Sequence, residues 1–322
     1  MVGKIKGTGS YRPVQVWDNH ELSHMVDTSD EWIRGRTGIG QRHIASQKES
    51  VAFMAAQAAE MALTYAGIRA EEIDLILVST MSAERIMPCA ACEVQKRIGA
   101  VNATCFDLNS ACTGFLVALN TAQAYLGQQI YKKALVIGAE ALSHLTNWQD
   151  RSTCVLFGDG AGAVVLEAEE SAVYIQATHS IGTGGDVLTC SSRNQPDFTK
   201  EGADISASYM QMDGKEVFKF AVSKVPEVIS EVLNKAGKNK DEIRYYILHQ
   251  ANQRIVSSVA KHMKEPLEKF PMNIETLGNT SSASIPLLLD ECRKNRKLKA
   301  GDWILLSGFG GGLTYGASLL RW

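Results

Sequence analysis

A short stretch of this chain recurs, and the recurrence limits the folds open to it. Residues 66–73 (A-G-I-R-A-E-E-I) align with 236–243 (A-G-K-N-K-D-E-I) at an offset of 170 and share four of eight positions. Each copy closes a helical pattern and opens an apolar strand, 74–80 in the first case and 244–249 in the second. The preceding helices match in kind. Val51, Met54, Ala55, Ala58, Met61, Ala62 and Tyr65 keep one apolar face, as do Phe218, Ala221, Val222, Val225, Val228, Ile229, Val232 and Leu233. Pro226 inside the second run either kinks that helix or marks its early turns. Two further echoes follow in order: 133–138 with 302–307, and 157–166 with 309–320. Apolar strands alternating with amphipathic helices predict an α/β protein whose sheets are buried on both faces. The ordered echoes predict two related halves, 1–170 and 171–322.

Composition narrows the class further. Net charge is −2, with 45% hydrophobic and 21% charged residues, so the chain as a whole has no pull toward nucleic acid or an anionic membrane. There is neither a signal-peptide pattern at Met1–Ser10 nor a run of eighteen apolar residues, so a cytoplasmic location is expected. Seven cysteines without framework spacing fit a reducing compartment. Cys89 and Cys92 form a single CxxC, weak as a zinc signature and better read as two small residues on a helix near a turn.

Three residues stand out, each with an ordinary and a chemical reading. Cys112 lies in F-D-L-N-S-A-C-T-G-F-L-V-A-L (106–119), where an extended run ends in small residues and an apolar helix begins. A thiol at a helix N-terminus gains from the unpaired amides and favours the thiolate; a buried free cysteine is otherwise inert. His249 ends an apolar strand and opens H-Q-A-N, at the strand end where open α/β sheets place ligands; a histidine bonded in a turn is the plainer alternative. Asn279, in L-G-N-T-S-S-A-S-I-P-L-L-L-D (277–290), reads locally as a turn and helix cap.

Together these motifs resemble a family. F-D-L-N-S-A-C-T-G-F, H-Q-A-N, G-N-T-S-S-A-S, the closing G-F-G-G-G-L-T-Y-G-A-S, M-V-D-T-S-D-E-W-I (25–33), R-T-G-I (36–39) and D-R-S-T-C-V-L-F-G-D-G-A-G (150–162) are similar to β-ketoacyl-acyl-carrier-protein synthase III. The resemblance covers essentially the whole chain. It implies the thiolase fold, two α-β-α-β-α units about a pseudo-twofold axis, for which the internal echo is independent support.

The resemblance also implies a reaction that starts fatty-acid synthesis. Cys112 takes an acyl group from acyl-coenzyme A, malonyl-acyl-carrier protein loses carbon dioxide, and its carbanion attacks the acyl-enzyme to give a 3-oxoacyl thioester. His249 and Asn279 would donate hydrogen bonds to the enolate oxygen, and the amides of Cys112 and Gly311 would form the oxyanion hole. Trp32 and Arg151 match residues that sandwich the coenzyme A adenine. Thr28, Arg36, Gly214, Phe218 and Asn252 match positions along the coenzyme channel, and Phe309 lies near the acyl end. Met87 matches a residue that crosses a homodimer to close the partner's acyl pocket. Lys219, Arg254 and Lys261 match the basic face that receives the acidic carrier protein, although His262 stands where the family often has lysine. Neither a metal nor a permanently bound cofactor is implied, coenzyme A entering as a substrate thioester. Two rivals remain on the sequence: a related condensing enzyme of specialised metabolism with a ketide, quinolone-like or ester product, and a non-catalytic acyl-coenzyme A or carrier-protein scaffold.

Overall fold

The repeated helix–turn–strand segments take one shape twice in the computed structural model, which describes residues 1–191 and 209–322. Helix Val51–Ala66 ends on Gly67 at φ 65°, and helix Gly214–Ala236 ends on Gly237 at φ 60°. Glycine suits both ends, because a Cβ in the left-handed region costs about 1–2 kcal/mol. A 3-10 turn follows each helix, Ala70–Glu72 and Lys240–Glu242, closed by a capping box ending in Glu72 or Glu242. Pro226 sits within the second helix rather than in its first turn.

The strands, in chain order, are β1 (Val2–Tyr11), β2 (Gln15–Asp18), β3 (Gln41–Ile44), β4 (Leu75–Ser79), β5 (Thr104–Leu108), β6 (Lys133–Glu140), β7 (Gly160–Glu169), β8 (Tyr174–Ser180), β9 (Leu188–Thr189), β10 (Gln211–Met212), β11 (Ile243–Leu248), β12 (Trp303–Gly310) and β13 (Thr314–Arg321). One sheet has the order β1-β7-β6-β4-β5 and a second has β11-β12-β13-β8; β2–β3 and β9–β10 are small ribbons. The registers repeat as well as the order. Val78 pairs with Ile137 across the parallel β4–β6 ladder, and Leu248 pairs with Ser307 across β11–β12, both at the offset of 170.

Among the described residues the second sheet lacks a counterpart of β5. The short helix Ile274–Leu277 stands at the corresponding place in the chain. β11 is therefore an edge of the second sheet, whereas its counterpart β4 is interior and β5 forms the edge of the first.

The apolar runs are buried as their continuity requires. Leu75–Val78 and Ile304–Leu306 are wholly inaccessible. Between the sheets, helix Gly114–Gly127 and helix Ser284–Lys294 share one core cluster containing Phe115, Leu116, Leu119, Ile285, Leu288 and Leu289. The strands on either side of that cluster carry the residues of the candidate site at their carboxyl ends. No helix among the described residues is long and apolar enough to cross a membrane. Cys89 caps the N-terminus of helix Ala90–Ile98, with its sulfur 3.4 Å from that of Cys92.

Candidate active site

A cavity of about 1380 Å³ is lined by the segments that follow β4, β5, β11 and β12. These are the carboxyl ends of parallel strands, where unpaired backbone groups and loop freedom collect in α/β sheets. Cys112, His249, Asn279 and Gly311 all line it, together with Phe309. Cys112, His249 and Asn279 are buried, at 6%, 1% and 7% exposure, so water reaches them only through the cavity.

Cys112 belongs to the 3-10 turn Ala111–Thr113 that leads into helix Gly114–Gly127. Ala111 enters this turn at φ 44°, a left-handed conformation that a non-glycine residue holds at a cost of about 1–3 kcal/mol. Gly310 leaves the space beside it, since a Cβ there would lie 2.8 Å from the Cys112 nitrogen. The thiol itself corrects the expectation of a favoured thiolate. Burial pushes it up to about 12, with the Glu140 charge acting in the same direction and the Ser281 hydroxyl and the Cys112 amide acting against it. A helix terminus contributes about 0.3–1 kcal/mol to an exposed charge, less than one pH unit's worth. Desolvation is therefore the larger effect, and the resting group is a thiol.

His249 follows β11 directly, and its amide extends the ladder by donating to Ser307 O at 2.8 Å. Burial lowers its pKa to about 3, so the ring is neutral. Its Nδ1 is 2.6 Å from Ser284 Oγ, which also receives the Gln250 amide at 3.4 Å. A Ser284 hydroxyl that donates to Nδ1 places the ring proton on Nε2, where it is free to act as a donor. Phe309 meets the ring edge-on at 5.1 Å and limits its rotation.

Asn279 is held by both chain halves. Its amide donates to Leu156 O at 2.8 Å, and its carbonyl accepts from Gly158 N at 3.0 Å. Its Oδ1 accepts from Ser281 N at 2.9 Å, which leaves the Nδ2 protons available as donors. The fully buried Arg42 supports this arrangement by donating to Val155 O, just before the segment that grips Asn279.

Twelve of the sixteen predicted site residues line the cavity: the five above together with Trp32, Arg36, Gly214, Phe218, Asn252, Lys219 and Arg254. Asn252 caps helix Gln253–Met263 and also donates to Arg36 O at 3.1 Å. Thr28, Met87, Arg151 and Lys261 do not line it. Thr28 Oγ1 is nevertheless buried without a partner. Met87 is 84% exposed and does not line this chain's own cavity, although its neighbour Ile86 does. Lys261 lies in the last turn of its helix and is exposed. Trp32 is flanked by two guanidinium groups, the carbon of Arg151 lying 4.9 Å from the ring centroid and that of Arg36 5.0 Å from it. Lys219 is bound to Glu216 at 2.6 Å.

The sequence reading missed Ser281, Ser284 and Glu140. Ser281 and Ser284 sit in the G-N-T-S-S-A-S segment, and only the contacts of the Ser281 amide with Asn279 Oδ1 and of the Ser284 hydroxyl with His249 give them significance. Glu140 ends an ordinary-looking strand.

Known proteins resemble the chain along its whole length. Residues 106–184 match the 3-oxoacyl-[acyl-carrier-protein (ACP)] synthase III family, and residues 233–322 match its C-terminal family. The chain is 47% identical to beta-ketoacyl-[acyl-carrier-protein] synthase III of Clostridium acetobutylicum over 99% of this chain and 98% of the relative. The 3-oxoacyl-[acyl-carrier-protein] synthase III structure from Aquifex aeolicus superposes with a TM-score of 0.93 at 44% identity, covering 99% of this chain and 100% of that one. The corresponding Pseudomonas aeruginosa structure gives 0.92 at 37% identity, covering 100% and 98%. The architecture is the thiolase fold, and the chain belongs to the 3-oxoacyl-[acyl-carrier-protein] synthase III family.

Proposed function

We propose that Cys112, His249 and Asn279 carry the two half-reactions of this condensing enzyme, an acyltransferase that initiates fatty-acid synthesis. The observation that carries the assignment is the single cavity in which one thiol and two neutral donors share a buried end. In the first half-reaction the Cys112 sulfur attacks the carbonyl of an acyl-coenzyme A. Coenzyme A leaves with the thiol proton, and the acyl group remains on the sulfur. The amides of Cys112 and Gly311 are assigned to the oxyanion of this step, for which Gly310 leaves the approach open.

In the second half-reaction malonyl-acyl-carrier protein loses carbon dioxide. Nε2–H of His249 and Nδ2–H of Asn279 stabilise the enolate oxygen, and the enolate carbon attacks the acyl-enzyme. A histidine kept neutral by burial suits this role, since it donates a proton's hydrogen bond without abstracting a proton from carbon. Carbon–carbon bond formation then expels Cys112 as the free nucleophile.

Coenzyme A is assigned to the side of the cavity holding Trp32, Arg36, Gly214, Phe218 and Asn252, with Arg151 against the Trp32 ring and Thr28 Oγ1 as an unfilled polar partner. The carrier protein is assigned to the face bearing Lys219, Arg254 and Lys261. A homodimer is supported by the exposed Ile86, Met87 and Val101, at 96%, 84% and 73%, near the open edge of β5, and Met87 would then serve the partner's acyl pocket. The division near residue 170 is supported by the chain passing from one sheet to the other between β7 and β8.

Intact-mass measurement after mixing with acetyl-coenzyme A tests the first step, and condensation with malonyl-carrier protein tests the second. An acyl adduct that disappears in Cys112→Ala, followed by release of 3-oxoacyl-carrier protein, is the expected result. No adduct on the wild-type chain, or one that persists in Cys112→Ala, would overturn the assignment.

A further inference from the structure

At the offset of 170 that relates the two halves, Cys112 corresponds to Ser282, His249 to Ser79 and Gly310 to Glu140. The backbone agrees with this correspondence. Ala111 at φ 44° and Ser281 at φ 46° introduce matching 3-10 turns, Ala111–Thr113 and Ser281–Ala283, each running directly into a helix. The molecule therefore contains the frame of the reaction centre twice.

The second frame is filled. Ser282 Oγ lies 2.9 Å from Glu140 Oε1 and 3.0 Å from Ser79 O. Glu140 is wholly inaccessible and stands at the position equivalent to Gly310, where a Cβ would lie 2.8 Å from Cys112 N. Its Oε2 accepts from Ser82 Oγ at 2.5 Å, Met81 N at 3.2 Å and Thr80 Oγ1 at 3.4 Å. Met81 and Ser82 line the substrate cavity. Burying a carboxyl is costly, so four hydrogen-bonding groups converging on one carboxyl mark a built joint.

That joint reaches the reaction centre through three links. Glu140 holds Ser282, Ser282 adjoins Ser281, and Ser281 N donates to Asn279 Oδ1, which sets the plane of the Asn279 amide. We propose that Glu140 is a positioning residue for condensation: by clamping Ser282 to the cavity wall at Met81 and Ser82, it holds the Asn279 amide in its working orientation. The proposal rests on the role assigned to Asn279 above.

Ser282→Ala is the decisive variant, because it removes one hydroxyl and leaves Glu140 with three donors. Condensation kcat is expected to fall roughly 10–100-fold, as for a displaced catalytic group. The KM for acyl-coenzyme A and the rate of acyl-adduct formation on Cys112 should stay at wild-type values. Glu140→Ala should lose as much. Glu140→Gln, whose oxygen still accepts from Ser82 and Met81 and whose amide still reaches Ser282, should restore condensation to within a few-fold of wild type.

Wild-type condensation in Ser282→Ala overturns the proposal. So does a loss of adduct formation in step with condensation, or a Glu140→Gln defect as deep as that of Glu140→Ala. Failure of the underlying assignment shows differently, as Asn279→Ala condensing at the wild-type rate.

Discussion

The turn that carries Cys112 and the turn that carries Ser282 have the same backbone and opposite fates. Both begin on a left-handed residue, and both feed a helix packed in the shared central core. One difference lies at the end of the neighbouring strand. Gly310 closes β12 without a side chain, so Cys112 faces a cavity; Glu140 closes β6 with a buried carboxyl, so Ser282 faces a hydrogen-bond network. Duplication supplied two frames, and three paired positions, Cys112/Ser282, His249/Ser79 and Gly310/Glu140, differ between them. The residues opposite differ accordingly: His249 keeps a free ring nitrogen, whereas Ser79 Oγ is buried without a partner and packs against Gly114.

The strongest test gives the first frame the chemistry of the second. Cys112→Ser should lower acyl loading by about 10³-fold or more, because a hydroxyl is far harder to ionise than a thiol, as intact-mass kinetics would read. Loading at the wild-type rate would mean that the sulfur is not the nucleophile. Removing the donors comes next. His249→Ala and Asn279→Ala should each lower condensation by about 10²–10³-fold while leaving adduct formation on Cys112 intact.

Giving the first frame a strand-end side chain is the third. Gly310→Ala places a Cβ 2.8 Å from Cys112 N, and both half-reactions should fall by about 10²-fold, with a thermal melt checking that the fold survives.

The two buried acids provide the finer tests. With the Cys112 thiol pushed up to about 12, iodoacetamide labelling should climb about tenfold per pH unit from pH 7 to 10 without levelling off. A plateau below pH 8 would show that the helix terminus outweighs burial. Glu140 is raised from 4.5 to about 7, chiefly by burial. The folded protein therefore keeps this proton over a range in which the unfolded chain has released it, and stability falls as pH rises from 4.5 to 7. Its share is roughly 3 kcal/mol, and Glu140→Gln should flatten the denaturation midpoint across that window.

Periodicity alone found the paired helices and the strands at 75–79, 133–140, 243–248 and 303–310 to within a few residues, since buried strands and amphipathic helices write their burial into local composition. Side-chain company was much less legible. The contact of the Arg151 guanidinium with the Trp32 ring joins residues far apart in the chain, which no local pattern records. Ser284 shares a motif with Asn279, yet nothing in the string distinguishes the serine that orients His249 from those beside it.

What the chain's letters determined is the repeat and the alternation of elements, because each depends on spacing along a local backbone; Cys112, His249 and Asn279 stood out from their ordinary readings only through the family resemblance of the motifs around them. What only tertiary structure decided is the state of those groups: a neutral imidazole, a protonated thiol, an amide with its donors free, and a silent second frame. Each of these depends on burial and on partners many residues away, contributed by strands and loops that meet only after the two halves pack together.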